Sequence, residues 1–202
     1  MLIKLKEIAN IVMGQSPKST YYNSDGYGTP FMQGCTTFGY LYPKIDTWTT
    51  NYNKIANKNS ILFTVRAPVG DVNIANQNIA IGRGLASINP QNNIHYKYLY
   101  YLLLANKSKF KNNSSGTVYE SINKEQLENA EVSIHNHADQ LHIVDIIVCL
   151  LFLLFLMLIL YSFQVNLLVL LIQLLFVLLF LLETCYCYHL LQHIFLILMN
   201  NH

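Results

Sequence analysis

The sequence predicts an α+β fold. A single domain with a mixed, loop-rich sheet and flanking helices is expected over residues 1–147, with an apolar, helical tail over 148–202. Three observations carry this. Short β-type runs are separated by Gly, Pro and Asn; a few segments space their apolar residues as helices do; and charge stops abruptly at residue 147. The chain has 202 residues, enough for one domain with a real core and a small appendage. All 13 Lys and Arg and 10 of the 11 Asp and Glu lie in residues 1–147, giving that part +3, and Glu183 is the one charge beyond. The head is polar and rich in Asn and Tyr, and its Asn and Lys usage suits an AT-rich genome. The start, MLIKLKEIANIVMG, alternates charge and hydrophobe and does not form the apolar block of a signal peptide. Cys35 alone in the head gives no disulfide framework, so a reducing, cytoplasmic compartment is expected.

The elements follow in chain order. Leu2, Leu5, Ile8, Ala9 and Val12 are helically spaced, predicting a helix over 2–13 that stops at Gly14. GQSPKSTYYNSDGYGTPF is turn-forming. Strands are expected at 60–65, 72–75, 79–81 and 85–88. Residues 95–110 read as one amphipathic helix through Leu99, Leu102, Leu103 and Phe110, stopped by the turn NNSSG. SINKEQLENAEVSI predicts a one- or two-turn helix and a strand, with Asn123 as N-cap and Gln126 reaching back to it. ADQLHIVDII, 138–147, opens a further helix.

Catalytic patterns are missing from the head. It contains no G-x-x-x-x-G-K-[ST] loop, no serine nucleophile elbow and no H-E-x-x-H, and the GYG that precedes Thr29-Pro30 opens no helix. His135, His137 and His142 cluster near a helix start without the Cys or carboxylate that would complete a metal set, and read as helix-end histidines. Asn89-Pro90 is followed by Gln91 and Asn92, so the aromatic that would stack on a flipped base is absent. No catalytic residue and no metal site are expected.

The head reads as a binder. Gln15, Ser16, Lys18, Gln33, Arg66 and Arg83 all lie in or beside glycine-bearing turns, where a groove can approach the backbone closely. Amides suit paired hydrogen bonds to adenine edges and arginines suit guanine, while lysines and backbone N–H groups serve phosphates. Eleven head tyrosines supply flat faces with polar tips. The plainer reading pairs Arg66 and Arg83 with Asp71 and Asp46 and treats most tyrosines as core filler.

Five stretches, in order, change the balance: LKEIANIVMGQSPKSTYYN, GTPFMQG, FTVRAPVGDVNIAN, IAIGRGLASI and SGTVYESINKEQLENAEVSI. Over about residues 4–147 the chain resembles the target recognition domain of type I restriction–modification specificity subunits. The resemblance implies a non-catalytic subunit. It would read half of a bipartite sequence in double-stranded DNA and dock methyltransferase and restriction subunits. S-adenosylmethionine, ATP and Mg would then belong to those partner subunits, with no cofactor in this chain. A second specificity half-subunit is a further expected partner.

The sequence departs from that family after the closing strand. SIHNHADQLHIVDII lacks the usual prolines and carries Asp139-Gln140 in the place of a Glu-Gln pair, with Leu141, Val144 and Ile147 near heptad spacing. The family's charged coiled-coil helix and second recognition domain are replaced by VCLLFLLFLMLILYSFQVNLLVLLIQLLFVLLFLLE. Three readings stand: two membrane passes over 148–163 and 165–182, a segment out of frame or rearranged, or a packed partner-binding helix. The loss of charge inside a helix and the lack of a basic flank favour the second, which makes the chain a truncated subunit. The rival is a membrane-anchored protein whose soluble head binds a peptide or glycan. Cys185, Cys187, His189 and His193 form C-x-C-x-H without the usual zinc knuckle and read as a chance pattern.

Overall fold

Residues 2–112 and 121–162 are described by this computed structural model. The chain divides into two units, 1–146 and 147–202, and each is taken by itself. In the first, strands β1 (Leu2–Lys4), β2 (Ala9–Met13), β3 (Tyr22–Asn23), β4 (Thr29–Met32), β5 (Trp48–Thr49), β6 (Ile55–Ala56), β7 (Ile61–Thr64), β8 (Val72–Ile74), β9 (Ile79–Ile81), β10 (Leu85–Pro90) and β11 (Glu131–Ser133) form three sheets. Helices α1 (Leu5–Ile8), α2 (Tyr96–Ala105), α3 (Lys107–Asn112) and α4 (Lys124–Glu128) flank them, and α5 (His137–Ser162) runs on into the second unit. The sheet orders are β1-β11, β2-β10-β7-β8 and β3-β5-β4-β9-β6. Among these pairings only β4 with β9 is parallel.

The central sheet explains why ILFT is an unbroken apolar run. On β7, Ile61 and Phe63 belong to the larger hydrophobic cluster, with Leu99 and Leu103 of α2, while Leu62 belongs to a second cluster with Met32, Ile79 and Ile81. A strand buried on both faces needs no polar alternation. Phe110 of α3 closes the larger cluster, its ring edge-on to Phe63 at a centroid distance of 5.1 Å.

Two expected helices are redrawn. The segment 2–13 contains only one helical turn, α1, between β1 and β2. Leu5 and Ile8 are buried as the helical spacing requires, but Ile11 is buried too because β2 pairs antiparallel with β10, setting Ile11 opposite Ile88. Long-range pairing overrides a pattern that one turn alone supports. Residues 95–110 break at Asn106, whose side-chain Nδ2 donates to the Leu102 carbonyl at 2.8 Å, ending α2 before α3 begins. The expected strands fall at β7, β8, β9 and β10, with β10 extending to Pro90. Of the NNSSG turn, Asn112 is the last residue of α3 and 113–116 lie outside the described residues.

The closing segment follows its pattern. Asn123 Oδ1 accepts the Gln126 amide N–H at 2.8 Å, and Gln126 Oε1 accepts the Asn123 amide N–H at 2.9 Å. At the start of α5 the stripe keeps Val144 buried and Ile147 half-buried as expected, but Leu141 is exposed and Gln140, one residue earlier, takes the buried place. Gln140 Nε2 donates to the His135 carbonyl at 3.0 Å. His135 is occupied as well: its Nδ1 meets the Tyr98 hydroxyl at 2.9 Å.

Residues 137–159 make a helix long and apolar enough to cross a membrane by length and composition, with mean hydropathy 2.9. Val148, Leu150, Phe152, Leu154, Phe155 and Leu158 are exposed in it. The second apolar run and the C-x-C-x-H cluster lie outside the described residues.

Two substitutions test this packing, read through Trp48 fluorescence during urea unfolding. Phe63→Ala is expected to cost about 3–5 kcal/mol, and Asn123→Ala about 1 kcal/mol.

Candidate functional site

Four turns converge where the two larger sheets meet. The chain leaves β2 at Gly14, leaves β4 at Gln33, leaves β7 after Thr64, and passes from β9 to β10 through Gly82-Arg83-Gly84. Backbone bonds lash these ends together: Gly14 N–H to Leu85 O at 2.8 Å, Gln15 N–H to Ile81 O at 2.9 Å, Gly82 N–H to Met32 O at 2.8 Å, and Val65 N–H to Gly84 O at 3.0 Å. The packing needs glycine. A Cβ on Gly14 would strike the Gly82 carbonyl, one on Gly84 would strike the Gln33 carbonyl, and one on Gly82 would lie 2.9 Å from Ser16 Oγ.

This assembly brings together five of the six residues expected from the sequence. Gln33, Arg66 and Arg83 line one cleft of about 250 Å³ with Cys35, Thr64 and the Gly34 and Gly84 backbone. Gln15 stands exposed on the adjoining turn, one residue from Ser16. Ser16 acts in the frame: its Oγ accepts the Arg83 amide N–H at 3.1 Å, fixing the turn that carries the arginine. Lys18 is exposed further along the same loop and is not among the cleft's lining residues. Its carbonyl accepts the Tyr21 N–H at 3.0 Å, and Tyr22 OH donates to Pro17 O at 2.8 Å.

The ion pairs of the plainer reading do not form. Asp71 is bound by Lys107 Nζ, and Asp46 Oδ1 accepts the Thr47 hydroxyl at 2.9 Å. The exposed guanidinium groups of Arg66 and Arg83 have no carboxylate partner among the described residues. Nor does either the Gln15 or the Gln33 side-chain amide have a hydrogen-bond partner there.

Sequence reasoning missed the parts that mount Arg66. Thr64 Oγ1 donates to Pro68 O at 2.6 Å and accepts the Asp71 N–H at 2.8 Å, closing the 64–71 turn. Lys107, at the start of α3, then ties Asp71 to the helix. Gly70, at φ +91°, lets the turn lie against the Lys107 side chain. The Asp71–Lys107 pairing spans 36 residues, and no local pattern marks it. Cys35, which the sequence marks only as a lone thiol, also lines the cleft. Burial first, then the charge of Asp71, push its thiol pKa up, so at neutral pH it is protonated and adds no charge to the cleft.

A larger cleft of about 780 Å³ lies elsewhere, where Asn106, Lys109, Gln126, Asn129 and Glu131 give mixed charge. Among the described residues, no group of three or more His, Cys, Asp or Glu could hold a metal.

Residues 1–150 match the family described as type I restriction modification DNA specificity domain. The chain is 41% identical over 125 residues to a Methanocaldococcus jannaschii protein named for the specificity subunit of the type I restriction enzyme MjaX, covering 61% of this chain and 29% of that one. Among solved structures, it is similar to the HsdS subunit from Thermoanaerobacter tengcongensis, at 35% identity and a TM-score of 0.64 over 72% of this chain and 35% of that one. A chain from a study of complex assembly and conformational transition of the type I R-M system gives 36% identity and a TM-score of 0.66 over 72% and 36%. The chain thus spans about a third of the length of these relatives.

Glycine substitution probes the frame. Gly84→Ala is expected to lower unfolding stability by more than about 2 kcal/mol. Gly34→Ala, whose Cβ would meet nothing within 4 Å, is expected to change it by less than about 1 kcal/mol. Denaturant midpoints of the two variants check the contrast.

Proposed function

Because this chain belongs to the type I restriction modification DNA specificity domain family, we propose that its first unit reads one half of a bipartite sequence in double-stranded DNA. The observation that supports this most directly is the four-turn assembly. Two arginines without carboxylate partners and two amides without hydrogen-bond partners among the described residues stand exposed on turns that glycines hold together. Exposed amides offer paired donors and acceptors to base edges, and arginines serve either bases or phosphates.

In this reading the chain performs no chemistry. It supplies sequence choice to methyltransferase and restriction subunits, which carry S-adenosylmethionine, ATP and Mg, and it acts in the cytoplasm. A second specificity half-subunit would supply the other half of the target. The family match ends at residue 150, just where α5 becomes apolar all round. That coincidence supports reading residues 148–202 as a segment out of frame with the domain and the chain as a truncated subunit. Translating the gene through codons 140–202 in every frame is expected to expose a charged, heptad-patterned helix; finding none would overturn this view of the tail.

DNA binding is tested by titrating the full chain with a random-sequence duplex pool across salt concentrations. Affinity is expected to fall linearly on a log–log plot, by about 0.9 per phosphate contacted. Arg66→Glu and Lys18→Glu are each expected to weaken binding by about tenfold or more, since each replaces an attraction to the backbone with a repulsion. Salt-independent binding, or none, would instead favour a head that takes a peptide or glycan.

A further inference from the structure

The cleft between the arginine-bearing turns is concave, and concavity separates two ways of meeting DNA. A side chain that reads bases must project into a groove; a recess must receive something that projects from the DNA. Two things do so, a backbone phosphate and a flipped base. Flipped bases are held by stacking, and among the described residues no aromatic ring lines this cleft. Its volume of about 250 Å³ falls below the roughly 300–1,000 Å³ usual for small-molecule sites. Among the described residues the lining is Gln33, Cys35, Thr64, the two arginines and small backbone positions, with no carboxylate. The nearby acid, Asp71, is occupied by Lys107.

Resting on the DNA reading above, the geometry points to a seat for one backbone phosphodiester, clamped from two sides by Arg66 and Arg83. Arg83 is held from the β9–β10 side by Ser16, and Arg66 is held from the β7–β8 side by the closed 64–71 turn. Guanidinium groups on two separately anchored turns match the several oxygens of a phosphate. Lys107 is a positioning residue here, because it fixes the turn that carries Arg66 without lining the cleft. Base selection then falls to Gln15, exposed on the adjoining turn outside the cleft lining.

The test uses the full chain and a duplex enriched from a random-sequence pool, carrying a single uncharged methylphosphonate at each backbone position in turn. One position is expected to weaken the wild type by about tenfold. Arg66→Gln and Arg83→Gln are each expected to weaken binding to the unmodified duplex by a similar factor and to blunt the effect of the methylphosphonate at that same position; combined, they are expected to lower the salt slope by about 0.9, the share of one phosphate, and to be indifferent to that methylphosphonate. Both variants are expected to enrich the same sequence as the wild type, and Arg66→Lys and Arg83→Lys are expected to restore the slope. A variant that enriches a different base with an unchanged slope would overturn the inference and make that arginine a base reader. DNA binding with no coupling between either arginine and any phosphate would overturn it too. A wild type that binds no duplex would instead overturn the DNA reading itself, and this inference with it. Unchanged thermal unfolding in each variant separates these outcomes from misfolding.

Discussion

Backbone lies directly against backbone at Gly14, Gly82 and Gly84, and the rest of the first unit is arranged around that contact. The passage from β9 to β10 carries the chain from the five-stranded sheet into the four-stranded one, and it is two glycines flanking an arginine. The ends of β2 and β4 press on it from either side, joined by hydrogen bonds of 2.8–2.9 Å. A side chain at Gly14 or Gly84 would force the strand ends apart, and one at Gly82 would press on the Ser16 and Gln33 side chains. The same displacement would separate the two sheets and scatter Gln15, Gln33 and Arg83. Fold and candidate interface therefore share one steric condition.

The core reaches that interface through β7. Its central residues are buried between the two hydrophobic clusters, and its last residue, Thr64, uses a buried hydroxyl to shape the turn beyond. From there Asp71 passes to Lys107, which sits three residues before Phe110, and Phe110 packs on Phe63. The loop of contacts closes on the strand where it began. The ion pair is partly exposed, with side-chain exposures of 44% and 29%, so its share of stability is small, on the order of 1 kcal/mol or less. Its importance is directional: it decides where the 64–71 turn lies.

Much of this was legible in the residues. Strands at 60–65, 72–75, 79–81 and 85–88 were marked by β-branched runs between Gly, Pro and Asn, and the Asn123–Gln126 cap by its spacing. What failed did so where distant partners outweigh local pattern. Residues 2–13 carry helical spacing, yet pairing with β10 and β11 leaves one helical turn. Asn106 interrupts a helix whose apolar stripe, through to Phe110, continues across the break. At the site, glycine and arginine placement revealed the turns, but the assignment of Asp71 to Lys107 instead of Arg66 depends on how α3 packs. Ser16 was legible as a polar turn residue, while its bond to the Arg83 amide required the fold.

The placement of side chains on this frame has a bearing on how such a domain diversifies. Gln15, Gln33, Arg66 and Arg83 are exposed and stand outside both hydrophobic clusters, so exchanging them typically shifts stability by no more than about 0.5 kcal/mol. The glycines that hold their turns allow no such freedom. Drift is thus cheap at the positions of the candidate interface and costly at those that set the architecture. A lineage built this way accumulates new preferences far faster than new shapes, and its members stay alike in backbone while diverging in what they select.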